Sequence, residues 1–241
     1  IEEAARARTG EDKTDGFFAL ALGKHGACEL NYSSDIDPIL LFDPQVLATP
    51  ERYSPAETAQ RMARDILRLL ADHTEEGYVF RVDLRLRPAA EVTPLAVSVN
   101  AAASHYESAA LAWERAAFIR ARSSAGDVER GERFLASIRP FVWRRSVDFG
   151  AIDEIAQLRV RIREAYSGTP SLGPGFDLKR GRGGIREIEF FAQTHQLIHG
   201  GRDLRLRTSD TRAALAALAR ADLVDEELAA ALARAYARLR V

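Results

Sequence analysis

Two aspartates stand two residues apart in the stretch Ser33-Ser34-Asp35-Ile36-Asp37. In an extended chain successive side chains alternate, so both carboxylates leave the same face. Such a pair supplies the hard oxygen ligands that Mg²⁺ takes, and can be shared by two ions. A third acid, Asp83, lies in Phe80-Arg81-Val82-Asp83-Leu84-Arg85-Leu86-Arg87. There Val82, Leu84 and Leu86 form one face, and Asp83 shares the other with Arg81, Arg85 and Arg87. Were this a strand beside the first, about 4.8 Å away, Asp83 would complete a three-carboxylate site. Alone, Asp-x-Asp is equally at home in a solvated loop or at a strand edge.

Upstream, Gly23-Lys24-His25-Gly26 follows an apolar run. A glycine-rich turn from strand to helix presents backbone N–H groups suited to phosphate oxygens. Lys24 adds a point charge, although the spacing is not that of a P-loop or dinucleotide fingerprint. Ser33 and Ser34 suit either phosphate binding through their hydroxyls or a plain turn. Arg115, Arg120 and Arg122 fall on a helix predicted over 112–122, with Arg115 and Arg122 on one face. Guanidinium forks hold phosphate oxygens in pairs, and a solvated helix face shows the same pattern. Trp113 reads as a core residue.

Lys179 precedes the turn Gly181–Gly184, which opens another predicted helix and offers its N-terminus to an anion. Arg186, Glu187 and Glu189 fall in the first turns, where acids also complement the helix dipole. His195 and His199 are four apart, but no third ligand at zinc spacing accompanies them. Nothing around Cys28 marks it as a nucleophile.

The elements that must position these groups fall into two classes. Residues 17–23, 35–42 and 78–87 read as strands. Residues 54–73 read as a helix, with Ser54 and Pro55 as start signals. The stretch 88–97 reads as a linker. Beyond it, 99–109, 112–122, 127–138, 148–166, 184–199, 209–220 and 224–240 read as helices, with Asp148, Ser209 and Asp222 as caps or near-caps. Residues 167–184 form a long Gly- and Pro-rich loop. The expected organisation is α+β: an α/β domain over 1–98 and an all-helical bundle over 99–241.

Composition bounds the function. The chain has 241 residues, enough for one large domain or two small ones. A formal net charge of −1 argues against a protein built to coat nucleic acid. No apolar run is long enough for a transmembrane helix. The single cysteine excludes an internal disulfide framework and a cysteine-based zinc site, and fits a reducing, cytoplasmic setting. Only three of the 34 basic residues are lysine, Lys13, Lys24 and Lys179, and two of these sit in the segments above. The start at Ile1 and the end within a predicted helix read as a fragment, with no signal peptide visible.

The order of strand, Gly turn, Asp-x-Asp and later strand Asp resembles the polymerase-β-type nucleotidyltransferases. In that superfamily the turn holds nucleotide phosphates and three acids hold two Mg²⁺. Five ordered segments narrow the resemblance: GKHGACELNYSSDIDPILLF, FRVDLRLRP, WERAAFIRAR, FVWRRSVDF and DLKRGRGGIREIEFFAQTHQLIHGGRD. Together they resemble the bifunctional glutamine synthetase adenylyltransferase/adenylyl-removing enzymes over roughly residues 16–220. The form GGIREIEF resembles the first, adenylyl-removing, unit of that family. Three departures are local: Lys24 stands where Ser or Gly is usual, Pro38 where Leu is usual, and Arg180 and Arg182 make the segment before GGIREIEF more basic than is common. Proline lacks an N–H and suits an edge strand or bulge.

The resemblance implies a catalytic and metal-binding set of Asp35, Asp37 and Asp83. It implies nucleotide or phosphate contacts from Gly23, Lys24, Ser33, Ser34, Arg115, Arg122, Lys179, Glu187 and Glu189. It implies Mg²⁺ and removal of AMP from adenylylated glutamine synthetase by phosphorolysis, giving ADP. ATP-dependent adenylylation and a non-catalytic module docking the PII signal protein are the alternatives. The implied partners are glutamine synthetase, PII and its uridylylated form, phosphate and ADP or ATP, with no nucleic acid and no membrane.

Overall fold

The computed structural model describes residues 1–10, 14–145, 157, 160, 168 and 173–240. Most of the helix predicted over 148–166, and its cap Asp148, lie outside the described residues. The chain separates into two compact units, residues 1–110 with 120–141, and residues 111–119 with 142–241.

The first unit is built on a four-stranded mixed sheet of order β3-β2-β1-β4. Its strands are β1 (Phe17–Leu22), β2 (Asp37–Phe42), β3 (Ala96–Ser98) and β4 (Arg122–Gly126). β1 pairs antiparallel with β2 from Phe17↔Phe42 to Leu22↔Asp37. The β1–β4 pairing is antiparallel with an irregularity between Ala19 and Leu20, and β2–β3 is parallel. The run FFALAL does not alternate because both faces of β1 are covered, and all six residues are buried. Phe17 and Ala19 pack with α1 (Glu2–Thr9) and α3 (Pro55–Ala71) through Ala5, Ala59, Met62 and Ala63. On the other side Phe18 meets Phe134 of α6 (Val128–Ser137), with ring centroids 6.3 Å apart.

Helix α3 matches its expected span. Ser54 accepts from the Glu57 N–H, and Glu57 accepts from the Ser54 N–H, a reciprocal box with Pro55 in the first turn. Arg8 of α1 grips Asp65 of α3 through two bonds, of 2.5 and 2.8 Å. The hydrogen bond from Arg8 holds the Asp65 carboxyl below the usual aspartate range. A folded-state value depressed in this way stabilises the fold above the unfolded value and is lost as pH falls through the folded one. Asp65→Asn is therefore expected to lower the melting temperature at neutral pH by about 2–4 °C, equivalent to about 1 kcal/mol. Melts of both proteins from pH 7 downward check this. The gap should narrow once pH drops below about 4, and a pH-independent gap would refute the ion-pair account.

Three expectations need correction. Residues 78–87 form no strand; they touch the sheet through one parallel bridge, Ile36↔Val82. The linker read over 88–97 instead ends in β3, whose Ala96 is fixed on both backbone groups by the Gln60 amide of α3. The helix over 112–122 stops at Phe118 as α5 (Ala112–Phe118), and Arg122 opens β4. Pairing with the buried β1 overrides the helix-like composition there. The cut at residue 98 thus separates β4 from the sheet it completes. Pro38 sits at the start of β2, an internal strand, but β3 reaches only Leu40–Phe42, so no β3 residue pairs with it.

The remaining helices of the first unit are α2 (Gly23–Gly26), α4 (Val99–Ser108) and α7 (Arg139–Val142, which runs one residue past the unit's boundary). The second unit holds α5, α8 (Ile185–His199), α9 (Thr211–Arg220) and α10 (Glu226–Leu239) among its described residues. Ile185, Ile188 and Ala192 of α8 meet Leu215 of α9 and Tyr236 of α10 in its core. The caps are Asp210 and Asp225, each accepting an N–H three residues on, rather than Ser209 and Asp222. A sheet unit and a helical unit make the fold α+β, as expected.

Candidate active site

β1 ends at Leu22 and the chain turns at once at Gly23, whose φ of +56° lies in the left-handed region. A Cβ there would stand 2.6 Å from Oδ2 of Asp37, the first residue of β2. The glycine therefore does two things: it permits the turn, and it leaves room for the Asp37 carboxylate directly over it. Gly26 is held still more closely, since a Cβ would meet the Arg120 carbonyl oxygen at 2.0 Å and that of Ala21 at 2.6 Å.

Asp35 lies just before β2, not within it. Between the two acids, the Ile36 N–H donates to the Arg81 carbonyl and the Asp83 N–H donates to the Ile36 carbonyl, both at 2.9 Å. This bridge sets Asp83 across from the Asp35–Asp37 pair without a third strand. The segment after it is folded by Arg87, whose guanidinium donates to the carbonyls of Leu84, Ala90 and Thr93.

Asp35 and Asp83 are engaged by arginines. Arg81 Nε lies 2.5 Å from Asp35 Oδ1, and its Nη2 reaches the Ser33 carbonyl. Arg85 forks onto Asp83, with Nε 2.9 Å from each oxygen and Nη2 2.5 Å from Oδ2. These bonds hold the Asp83 carboxyl below its ordinary range. The alternation predicts Arg81 and Arg85 only as face-mates of Asp83; their grip on Asp35 and Asp83 comes from the Ile36–Val82 bridge and the fold-back of Arg85. The carboxylate donors suit a hard divalent cation in kind. In arrangement, among the described residues, no group of three His, Cys, Asp or Glu side chains stands close enough to hold a metal. Both arginine pairs are solvent-exposed, the kind whose net contribution is small and which a competing cation can displace.

Arg122 lies beside the Gly23–Gly26 turn and donates to the His25 carbonyl at 3.3 Å. Its Nε and the His25 Nδ1 are buried without hydrogen-bond partners. Burial, and then the nearby Arg122 charge, push the His25 imidazole below its ordinary value. Ser34 Oγ accepts from the Asn31 N–H at 3.0 Å, which is the turn-forming role, and Ser33 is exposed. Gly23, Lys24, Ser33, Ser34, Asp35, Asp37, Asp83 and Arg122 thus all belong to the first unit.

Arg115, Lys179, Glu187 and Glu189 belong to the second. Arg115 does not share a helix face with Arg122, because α5 ends between them, and it is 1% exposed rather than solvated. The expected anion seat at the start of α8 is not met. The Glu187 carboxylate accepts from the Gly183 N–H, and the N–H groups of Ile185, Arg186 and Glu187 hold the carbonyls of Leu178, Lys179 and Gly184. Lys179 itself is exposed. Glu189 accepts from the buried Tyr236 hydroxyl at 2.9 Å, tying α8 to α10. His195 and His199 stack with centroids 6.0 Å apart but belong to no metal-holding group among the described residues.

The comparisons with known proteins follow this division. Residues 2–137, more than half of the chain, match the family model described as glutamate-ammonia ligase adenylyltransferase. The chain belongs to that family. Residues 155–241 match a second model, GlnD PII-uridylyltransferase. Among curated relatives, the bifunctional glutamine synthetase adenylyltransferase/adenylyl-removing enzyme of Caulobacter vibrioides is 50% identical over 225 residues, 93% of this chain and 23% of the relative. Its namesake in Rhizobium meliloti is 49% identical over 226 residues, again 93% and 23%. That of a Bradyrhizobium species is 46% identical over 246 residues, 99% of this chain and 25% of the relative. The chain thus spans about a quarter of the length of these family members. No helix among the described residues is long and apolar enough to cross a membrane.

Proposed function

We propose that this chain removes AMP from adenylylated glutamine synthetase by phosphorolysis, acting in the cytoplasm. The observation that carries the reading is the Ile36–Val82 bridge, which brings Asp83 opposite Asp35 and Asp37 beside the Gly23 turn. Family membership supports the chemistry, and the names of the relatives support the substrate.

Asp35, Asp37 and Asp83 would hold Mg²⁺ only once the ion displaces Arg81 and Arg85 and draws the carboxylates together, and bound there it would supply charge neutralisation at the reacting phosphate. The chain's own groups do the positioning. Lys24 and Arg122, flanking the turn, hold phosphate oxygens; Arg81 and Arg85, released from their acids, are within reach to do the same. Inorganic phosphate attacks the α-phosphorus of the AMP–tyrosine ester. A new P–O bond forms, the bond to tyrosine breaks, the tyrosine oxygen takes a proton, and ADP leaves. No covalent intermediate on the protein is required, so the acceleration comes from alignment and electrostatics. The match of residues 155–241 to a PII-uridylyltransferase model supports PII and its uridylylated form as partners.

The test is ADP release from AMP-modified glutamine synthetase with Mg²⁺ and phosphate. ADP that requires phosphate and appears without ATP is the expected result. Transfer of AMP from ATP to the unmodified enzyme, with no phosphate-dependent ADP, would reverse the assigned direction.

A further inference from the structure

The second unit carries a pocket of about 310 Å³ at the C-terminal end of α8, lined by Arg145, His199, Arg202, Asp203 and Arg205. Ile198 and Leu223 contribute its apolar wall. It lies the whole length of α8, 15 residues or about 22 Å, from the Gly181–Gly184 turn. The segments that meet here are Trp143-Arg144-Arg145 and His199-Gly200-Gly201-Arg202-Asp203. Both belong to the segments that carried the family resemblance, and neither contributes to the acid cluster.

The pocket is built by close backbone approach. A Cβ on Gly201 would stand 1.8 Å from the Arg144 carbonyl oxygen, and one on Gly200 would strike the Trp143 ring at 2.7 Å. Arg207 covers the Trp143 ring at 5.3 Å and donates to the Gly200 carbonyl. Arg202 Nε donates to the Arg145 carbonyl at 2.9 Å, joining the two walls. Behind them the buried Gln196 amide holds the carbonyls of Leu206 and Thr208.

The charges do not cancel. Asp203, the one acid among the described residues that line the pocket, is forked by Arg205 at 2.9 and 2.6 Å. Among the described lining residues, Arg145 and Arg202 then leave an excess of two positive charges beside an apolar wall. Guanidinium groups on two sides of a small concavity select an oxyanion by paired hydrogen bonds. The volume is at the lower end for ligand pockets, which limits the occupant to a small molecule.

We infer that this pocket binds a small oxyanion, a phosphoryl or carboxylate group carrying a short apolar part, through residues other than those of the acid cluster. Trp143 gives a local reporter once the other tryptophan is removed by Trp113→Phe. In that background, inorganic phosphate, pyrophosphate and succinate are titrated against Trp143 fluorescence, with circular dichroism to confirm the fold. A saturable response is expected from at least one of the three, and which one answers separates the phosphoryl from the carboxylate source. Arg145→Gln and Arg202→Gln should each weaken it about tenfold. Their side chains are exposed, so the core is untouched, and Arg202→Lys, which keeps the charge, should weaken it less. Lys24→Ala, in the first unit, should leave it unchanged. No saturable response to any of the three anions, a response unaltered by both arginine substitutions, or one abolished by Lys24→Ala would overturn the inference.

Discussion

Asp37→Asn is expected to reduce phosphorolysis about a thousandfold while leaving thermal unfolding nearly unchanged. Asp37 opens β2, and its carboxylate lies over the Gly23 turn, where a side chain of any size would displace it. The amide keeps the shape and removes the charge, so the sheet register from Leu22↔Asp37 to Phe17↔Phe42 should persist. Asp35→Asn should act in the same direction. It also frees Arg81, so its effect combines a lost donor with an unpaired cation. Measured beside Mn²⁺ binding, both variants should lose affinity for the ion together with turnover. Near-normal ADP release from Asp37→Asn would remove the acid pair from the chemistry altogether.

The largest stability effect is expected from Gly26→Ala. Helix propensity alone favours alanine by about 1 kcal/mol. Against this stands a Cβ 2.0 Å from the Arg120 carbonyl oxygen and 2.6 Å from that of Ala21. Both obstacles are backbone, so neither can rotate away. Moving them would shift the end of β1 or the approach to β4. The clash wins, and a net loss of about 3 kcal/mol is expected, or about 6–12 °C in melting temperature. Gly77→Ala is no control because of its φ of +98°, so Gly173→Ala serves, since nothing among the described residues lies within 4 Å of a Cβ there. Equal melting temperatures for the two variants would show that the α2 turn gives way easily.

The legible parts of this fold were those written in local sequence. β1 and β2 are apolar runs bounded by turn residues, and α3 carries its own start signal at Ser54, Pro55 and Glu57. The spacing of the candidate acids Asp35 and Asp37 was legible in the same way, on or beside such a run, whereas the place of Asp83 rests on a bridge between distant segments. What was not legible depends on partners far along the chain. Residues 122–126, Arg-Ser-Ser-Ala-Gly, have little strand propensity and become β4 because β1 offers a buried edge. The alternation in 78–87 promised a strand, but Arg85 folds back on Asp83 and Arg87 on the carbonyls that follow. The segment instead gives the sheet one bridge. For Glu187 and Glu189 the resemblance implies contacts to nucleotide or phosphate, while their position in a helix start suits a plain dipole role. Their engagement with the Gly183 N–H and with Tyr236, 47 residues away in the second case, could not be read from that position.

The late strand has a consequence for how the molecule is made. Phe18 of β1 takes its partner at Gly126, more than a hundred residues further on, and the chain visits the second unit at 111–119 before returning to supply it. On the ribosome, β1 and β2 can pair as soon as residues 17–42 have emerged, but one edge of β1 stays open until β4 arrives. Such a long-range closure slows folding and prolongs the exposure of an apolar edge. The order of synthesis therefore leaves β1, whose last residue Leu22 pairs with Asp37, as the most aggregation-prone strand of the nascent protein.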